Sequence, residues 1–563
     1  MKKITPTIAT VLFLVLPFIE LKADVFYVNS QLTFNEAHND ASMNDTIIWE
    51  IGTYSDIYMN ISKDYLNIRA TIPGGSIFRG VSRANITGDN INFEGVQFIE
   101  GNIGTQHVIN VSGSYINITQ VNIRAYTSYK YLIVRESSQY VNITYCNFEN
   151  RLNLDDQNIL SILVDPDHPG YHKIQNCSFK NFEGIGNDMG IEPIRIGLST
   201  QSDRISRTLV EHCYFTHCDG DGEIISNKAR QNVYRNNTFE DNTKAELVLR
   251  HGSENIVYGN FFLNGKGGVR VREGQDQYIY NNYFFGLTDR AIFLQNEESD
   301  PLDNINIAFN TIVNCDRIRL GGGGDNEPTN IAFSNNIFAN PENDIFDDPT
   351  GNETWIGNIG FGDLGMSLPP SGIMVADPLL SVNSEGFWGI SENSPARNAA
   401  EPGFESIPQF EGIEMIDNDI LFDLMGQNRP ANIAEKDLGC HEYPHNIFIT
   451  PMATEENTGP DYNTSEITGS NNVIIVNDLI NVFPNPAFEQ VTISLENFGP
   501  FDLTIEIVDA EGQTVLKSAS FSGKEIVFKE LQGLSSGVYS VIATRQNSQN
   551  AVKEIQVIKF VKF

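Results

Sequence analysis

The sequence predicts an all-β protein: a right-handed parallel β-helix followed by a small β-sandwich. Three observations carry that expectation. A short strand-like phrase recurs at near-constant spacing through residues 85–345, a polar tract then interrupts it, and a second, differently spaced set of alternating segments follows. At 563 residues the chain exceeds an ordinary domain of about 100–200 residues. A solenoid absorbs such a length because its core grows coil by coil. A hydrophobic content of 40% with 10% aromatic residues excludes wholesale disorder. The 37 Lys and Arg against 72 Asp and Glu leave a net charge of −35, which argues against nonspecific binding of nucleic acid or an anionic membrane. A polyanionic partner therefore needs a local cationic patch or a bound metal.

Residues 1–23, MKKITPTIATVLFLVLPFIELKA, have the layout of a secretory signal peptide: two lysines, an apolar run from Ile8 to Ile19, and a small residue, Ala23. The run is short for a membrane span, and no later window is long and apolar enough to be one. The expectation is an exported chain, secreted or attached at the cell surface.

The repeat body, expected over residues 24–450, is built on phrases such as INFEGVQF (91–98), VNITYCNF (141–148), VYRNNTF (233–239) and IAFSNNIF (331–338). Their last apolar residues fall at 98, 123, 148, 179, 215, 239, 262, 284, 312 and 338, a spacing mostly of 22 to 31 that signals a solenoid. Each phrase alternates with period two, as a short strand does. Asparagines in the turns can line up from coil to coil and tolerate the left-handed conformation. A leucine-rich repeat would show LxxLxL, and a propeller a longer four-stranded unit.

The segments VADPLL (375–380), SPARNAA (394–400) and KDLGCHEY (436–443) break the pattern and read as an irregular cap after the last coil, where a bare strand edge would invite pairing. Thr454 to Asn472 lacks hydrophobic periodicity and reads as a linker, within boundaries of 451–480. Beyond it, alternating segments punctuated by Glu511-Gly512 and Ser536-Gly537 predict the sandwich, residues 481–563. The six cysteines form no CxxC pair, and Cys146, Cys177, Cys213 and Cys315 fall inside strand phrases, which favours buried free thiols.

Charges concentrate on three consecutive coils, at GIEPIRIG (190–197), CDGDGEIISNK (218–228) and ELVLRHG (246–252). With strands about 4.8 Å apart, Glu192, Asp221, Glu223, Lys228, Arg250 and His251 can share one face. Clustered carboxylates invite a cation, and hard oxygens favour Ca2+ or Mg2+. Beside a uronic carboxylate such a site acidifies the C5 proton. Lys228, near Arg250 and a metal, can have its pKa lowered enough to serve as base. β-Elimination across an acidic sugar follows as one reading. The other is a solvated ladder of compensating charges.

The stretches DGEIISNKARQNVYRNNTF (221–239), LRHGSENIVYGNFF (249–262) and GGVRV (267–271) resemble polysaccharide lyase family six, the β-helical alginate lyases and the dermatan-cleaving chondroitinase B. The resemblance implies Lys228 as the base at C5 and Arg250 on the acid side at the glycosidic oxygen. It further implies Glu192, Asp221 and Glu223 as Ca2+ ligands, with His251 and Arg270 contacting substrate. Asp221 is one methylene shorter than the family's Glu. The tail resembles the C-terminal sorting domain of type IX secretion substrates, through Phe483-Pro484-Asn485-Pro486 and Gly537-Val538-Tyr539, which implies the type IX machinery as a partner.

The GNFF and GGVRV elements favour alginate as the polymer. A dermatan or chondroitin sulfate lyase, which needs further cationic groups for sulfate, and a non-catalytic glycan-binding β-helix remain the alternatives; a Ca2+-dependent pectate lyase matches the motifs less well.

Overall fold

The computed structural model describes residues 23–462, apart from 154–156, 185–189, 296–301, 323–325, 384, 415–416, 418–419 and 445–448, together with residue 464 and parts of 473–562. Residues 1–22 of the expected signal peptide lie outside them. No helix among the described residues is long and apolar enough to cross a membrane.

Three parallel sheets of 14, 12 and 14 strands enclose one continuous core, and neighbours in each sheet come from successive coils. The expected parallel β-helix is the observed fold. The ten apolar residues picked out by their spacing fall on one stacked row. Phe98 pairs with Ile123, Ile123 with Phe148, Phe148 with Phe179, and so on in unbroken register to Phe338. From Phe148 to Phe284 their rings stack face to face at centroid separations of 4.8 to 5.0 Å. A coil thus buries its own ring only by placing it on the next.

The asparagine-rich turns divide their work between adjacent residues. Asn236, Asn281 and Asn335 take the left-handed conformation, with φ of 56°, 59° and 59°. The residue after each forms a buried ladder in which Asn237 Nδ2 donates to Asn260 Oδ1, and likewise through Asn282, Asn310 and Asn336 to Asn358, at 2.9 to 3.0 Å. Such amides would be costly to bury unpaired. A helix that the periodicity did not reveal, Gln31–Asp40, packs against the first strands, started by a Ser30/Thr33 capping box and anchored by Phe34 stacked on Trp49 at 5.6 Å.

The segments expected to cap the last coil instead run back along the flank. Ile390, Ala396, Ala400, Ile407, Phe410 and Leu438 cover Leu209, Val233, Ile256 and Tyr278 on the outer face of a 14-stranded sheet. The cause lies in that row of the sheet, polar at Asn142 and Lys173 and apolar from Leu209 to Tyr278. Apolar side chains directed outward need a cover. The expected linker is corrected in its first third too. Glu455 pairs with Lys180 at 2.7 Å, Gly459 N donates to Asn176 O at 2.8 Å, and Tyr462 Oη donates to Gln120 O at 2.8 Å. Its polar groups are met by the solenoid's turns rather than by water. Most of the remaining linker lies outside the described residues.

The tail forms small five- and three-stranded sheets around Val491, Ile493, Ile505, Ile507 and Val541. Gly537-Val538-Tyr539 opens the strand Gly537–Gln546, and Phe483 closes Asn481–Phe483, whereas residues 484–486 and 511–512 lie outside the described residues. Cys146, Cys177, Cys213 and Cys315 are buried and free, as expected, and so are Cys218 and Cys440.

Candidate active site

Strands Ile194–Ile196, Glu223–Lys228, Glu246–His251 and Gly267–Val271 lie side by side in the 12-stranded sheet. Ile194, Ile225, Leu247 and Val269 pair in register and point into the core. Alternation then sends Arg195, Ser226, Val248 and Arg270 outward. Between the two middle strands the register shifts twice, at Glu223/Ile225 and at Asn227/Lys228. Each shift inserts one unpaired residue, Ile224 on one strand and Arg250 on the other. A bulge of this kind re-aims a side chain, and here it turns Arg250 toward Glu223.

The glycines that close the IRIG and RHG phrases have a steric reason. Gly197 has φ +78°, and a Cβ on it would stand 2.9 Å from Lys228 O. Gly252 has φ +81°, and a Cβ would meet Ala229 O at 2.3 Å. Coils on both sides therefore close tightly over the end of the Lys228 strand. Asn227 fixes that end. Its buried amide donates to Ala229 O at 3.0 Å and to His251 O at 2.9 Å, and accepts from Asn232 Nδ2 and Tyr234 Oη, both at 2.8 Å.

Arg250 Nη1 donates to Glu223 Oε1 at 2.7 Å, and Arg270 Nη2 approaches the same oxygen at 3.5 Å. Burial opposes ionisation of Glu223, but the charges of Arg250, Arg270 and Lys228 outweigh it, so its carboxyl stays below the ordinary value. Glu192, 2% exposed, is clasped by both terminal oxygens in the fork of Arg195 at 2.7 Å. Its pKa nevertheless rises to about 7, through desolvation and then through the nearby Glu223 and Asp221, which Arg195 offsets only in part. Asp221 accepts the backbone amides of Gly190, at 2.5 Å, and Gly222.

Lys228 Nζ is in no ion pair with a described residue. Desolvation lowers its pKa, and Arg195 and Arg250 lower it further against the pull of Glu192 and Glu223. His251 turns aside, its Nδ1 2.5 Å from Glu273 Oε2. Burial lowers its pKa and Glu273 opposes the shift. Arg270 Nε lies 3.2 Å from Glu246 Oε1, which Arg290 Nη2 also meets at 3.1 Å.

Carboxylate oxygens are the hard donors that a divalent cation takes. Glu223 Oε2 is buried without a hydrogen-bond partner among the described residues, and the carboxylates of Glu192, Asp221 and Glu223 repel one another. Among the described residues no three His, Cys, Asp or Glu side chains form a ready metal site, and both oxygens of Glu192 are held by Arg195. A cation there would compete with that guanidinium.

Lys228, Arg250, Arg270, Glu223, Glu192 and Asp221 are thus brought into one electrostatic cluster, while Arg270 also meets Glu246 and His251 pairs with Glu273. Sequence reasoning missed Arg195, Glu246, Glu273 and Arg290. Arg195 and Glu246 stood in the charged phrases themselves. Glu273 sits one coil from its partner and Arg290 two coils from Glu246, where no local spacing connects them.

The chondroitinase B family model matches residues 28–346, and a secretion system C-terminal sorting domain model matches residues 481–559. Among solved structures, the PL6 family alginate lyase AlyGC is 23% identical with a TM-score of 0.63, over 80% of this chain and 61% of that one. A mannuronic acid specific family 6 lyase from human gut microbiota is also 23% identical, TM-score 0.54, over 63% and 92%. An endo-acting ulvan lyase of Formosa agariphila is 35% identical over 86 residues, 15% of this chain and 16% of the relative. This chain therefore spans less than two thirds of AlyGC and a small part of the ulvan lyase.

Proposed function

The chain belongs to the chondroitinase B family, and from that premise we propose that it is an exported polysaccharide lyase that cleaves alginate by β-elimination. The observation that carries the reading is Lys228: an ammonium in no ion pair with a described residue, its pKa lowered, on the strand of Glu223 and beside the strand that carries Arg250. A lysine so placed is able to lose its proton and act as base.

In the proposed reaction Lys228 Nζ takes the C5 proton of a uronate. The C5–H pair becomes the C4=C5 double bond, the C4–O4 bond breaks, and O4 leaves with the chain on the non-reducing side, on whose C1 it becomes the hydroxyl of a new reducing end by taking a proton from water. Arg250, always charged and a poor proton donor, stabilises that oxygen by hydrogen bonding. Glu192, Asp221 and Glu223 would hold Ca2+, which when bound supplies positive charge against the uronate carboxylate. His251 and Arg270 line the site as substrate contacts, His251 positioned by Glu273.

Alginate is favoured over a sulfated glycosaminoglycan because the additional guanidiniums are already engaged: Arg270 and Arg290 both face Glu246. Little cationic charge remains for sulfate. The sorting tail implies export, and the type IX machinery would be its partner.

The test is ultraviolet absorbance of the unsaturated sugar end during incubation with alginate, dermatan sulfate or polygalacturonate, each with Ca2+ or chelator, alongside Lys228→Ala. A rise on alginate alone, lost in the variant, is expected. Silence on all three from a folded preparation would sink the proposal and leave a glycan-binding β-helix.

A further inference from the structure

The outer face of the 14-stranded sheet that carries the flank segment changes character along its length. From Leu209 to Tyr278 it is apolar and covered. Before Leu209 it is open and forms a groove of about 520 Å³. Two ladders line the groove. Asn67, Asn92, Asn117 and Asn142 stack coil on coil, each amide donating one hydrogen bond to the one before, at 2.7 to 2.9 Å. Beside them Tyr115 stacks on Tyr140 at 4.9 Å and Tyr140 on Tyr171 at 5.1 Å, with Tyr65 at the same turn two coils earlier.

We propose that this groove binds a polysaccharide chain, separately from the cleavage site on the 12-stranded sheet. Four features point to a pyranose polymer. First, the amides are only partly satisfied. Asn92 and Asn117 each spend one N–H and one lone pair on their ladder neighbours, which leaves each a second donor and a second acceptor on the exposed face of the sheet. The buried ladder differs: Asn260 Nδ2, for example, also donates to Tyr234 O and Tyr258 O.

Second, the tyrosines stay open. Tyr65, Tyr115 and Tyr140 are 42%, 53% and 37% exposed. All four tyrosines have left-handed backbones, with φ of 52° to 59°, a conformation that disfavours bulky side chains and that Asn44 and Asn90 fill in the same groove. Structure alone would be served by asparagine throughout. Third, the lining residues themselves include no carboxylate, and their one cation, Lys173, is paired with Glu414 at 3.2 Å. The groove therefore has no unpaired charge among its lining residues, which suits a neutral glycan. Fourth, the donors, acceptors and phenol edges repeat at the strand spacing of about 4.8 Å, a period comparable to one sugar of an extended chain. The flank segment bounds the groove at Gly412, where a Cβ would meet the Tyr171 ring at 2.3 Å.

The groove lies on a different sheet from Lys228, so binding and cleavage are separable. The experiment is affinity electrophoresis of the full chain in gels containing alginate, polygalacturonate or a neutral β-mannan, comparing wild type, Lys228→Ala and Tyr115→Asn/Tyr140→Asn. Asparagine suits the left-handed backbone, so this double variant should fold, which circular dichroism checks. Retardation by at least one polymer is expected. It should persist in Lys228→Ala and weaken about tenfold in the tyrosine variant. Retardation by the acidic gels alone identifies a uronan, and by the neutral gel as well a general pyranose groove. No retardation of wild type by any polymer, or equal retardation of the tyrosine variant, overturns the proposal. Because Lys228→Ala reports binding without cleavage, failure of the lyase reading leaves this result readable.

Discussion

Arg250 Nη1 donates to Glu223 Oε1 at 2.7 Å across neighbouring coils, while Glu223 Oε2 is buried with no hydrogen-bond partner among the described residues. One carboxylate therefore orients the leaving-group side of the proposed site and keeps an oxygen in reserve. Glu223→Gln retains the shape and removes the charge. The expected result is a loss of lyase rate of about 100-fold or more, as for removal of one preorganised electrostatic contact. The melting temperature should fall only modestly, because Arg250 is partly exposed. Initial rates and calorimetry on the same preparation separate the two effects.

Lys228 sets the pH dependence. Its pKa is lowered in the folded chain by burial and by Arg195 and Arg250. Only the neutral amine accepts a proton, so activity should rise as pH increases through the folded pKa, below the ordinary lysine value. The stability sign is the same: between the folded and unfolded pKa values the unfolded chain binds more protons, so stability rises with pH across that window. Lys228→Met should accordingly be inactive, by about 10²–10⁴-fold, yet no less stable than wild type. A pH–rate profile and paired melting curves check both halves.

Calcium binding at Glu192, Asp221 and Glu223 would stabilise the native state by mass action, about 2.7 kcal/mol at a hundredfold excess over Kd. Differential scanning calorimetry with Ca2+ and with chelator should show an upward shift in wild type. Glu192→Gln should reduce that shift, since it replaces a carboxylate by a neutral amide. Equal melting temperatures with and without Ca2+ would remove the cation from the mechanism.

Gly252 has φ +81° and stands against Ala229 O. Gly252→Ala should push the Arg250-His251 strand end off its neighbour, costing roughly 1–3 kcal/mol from the backbone conformation alone. Activity should fall with stability, because the displaced residues include Arg250. Urea unfolding and initial rates measured together test the link.

The fold was legible because a solenoid repeats its one packing rule. Phe98 to Phe338 announced the core row by spacing, and the Asn-Asn turns announced the ladder. Lys228, Arg250 and Glu223 were legible because short phrases carried them on adjacent coils. The Glu246 contacts were not, since Arg290 lies 44 residues away and only the register brings it near. The helix Gln31–Asp40 escaped notice because one brief element has no period to betray it. The flank segment was misjudged for a related reason: its irregular sequence says that it leaves the coil, while its destination is written in Leu209, Val233, Ile256 and Tyr278.

Those four residues yield the remaining prediction. Ile256 is fully buried under the flank segment, on the sheet opposite in role to the one that holds Lys228. Ile256→Asp replaces an apolar contact by a charge with no partner, forfeiting roughly 1.5–3 kcal/mol of burial before the cost of the charge is added. The coils themselves keep their inward rows, Val257 and Phe262 among them, so the solenoid should persist while the cover loosens. Limited proteolysis should then cut within residues 376–443 much faster than in wild type. The rate per folded molecule should change little, because Lys228 and Arg250 lie on the 12-stranded sheet and Ile256 on a different one. A matching loss of activity would instead mean that the cover tensions the whole stack of coils, and that the site depends on it.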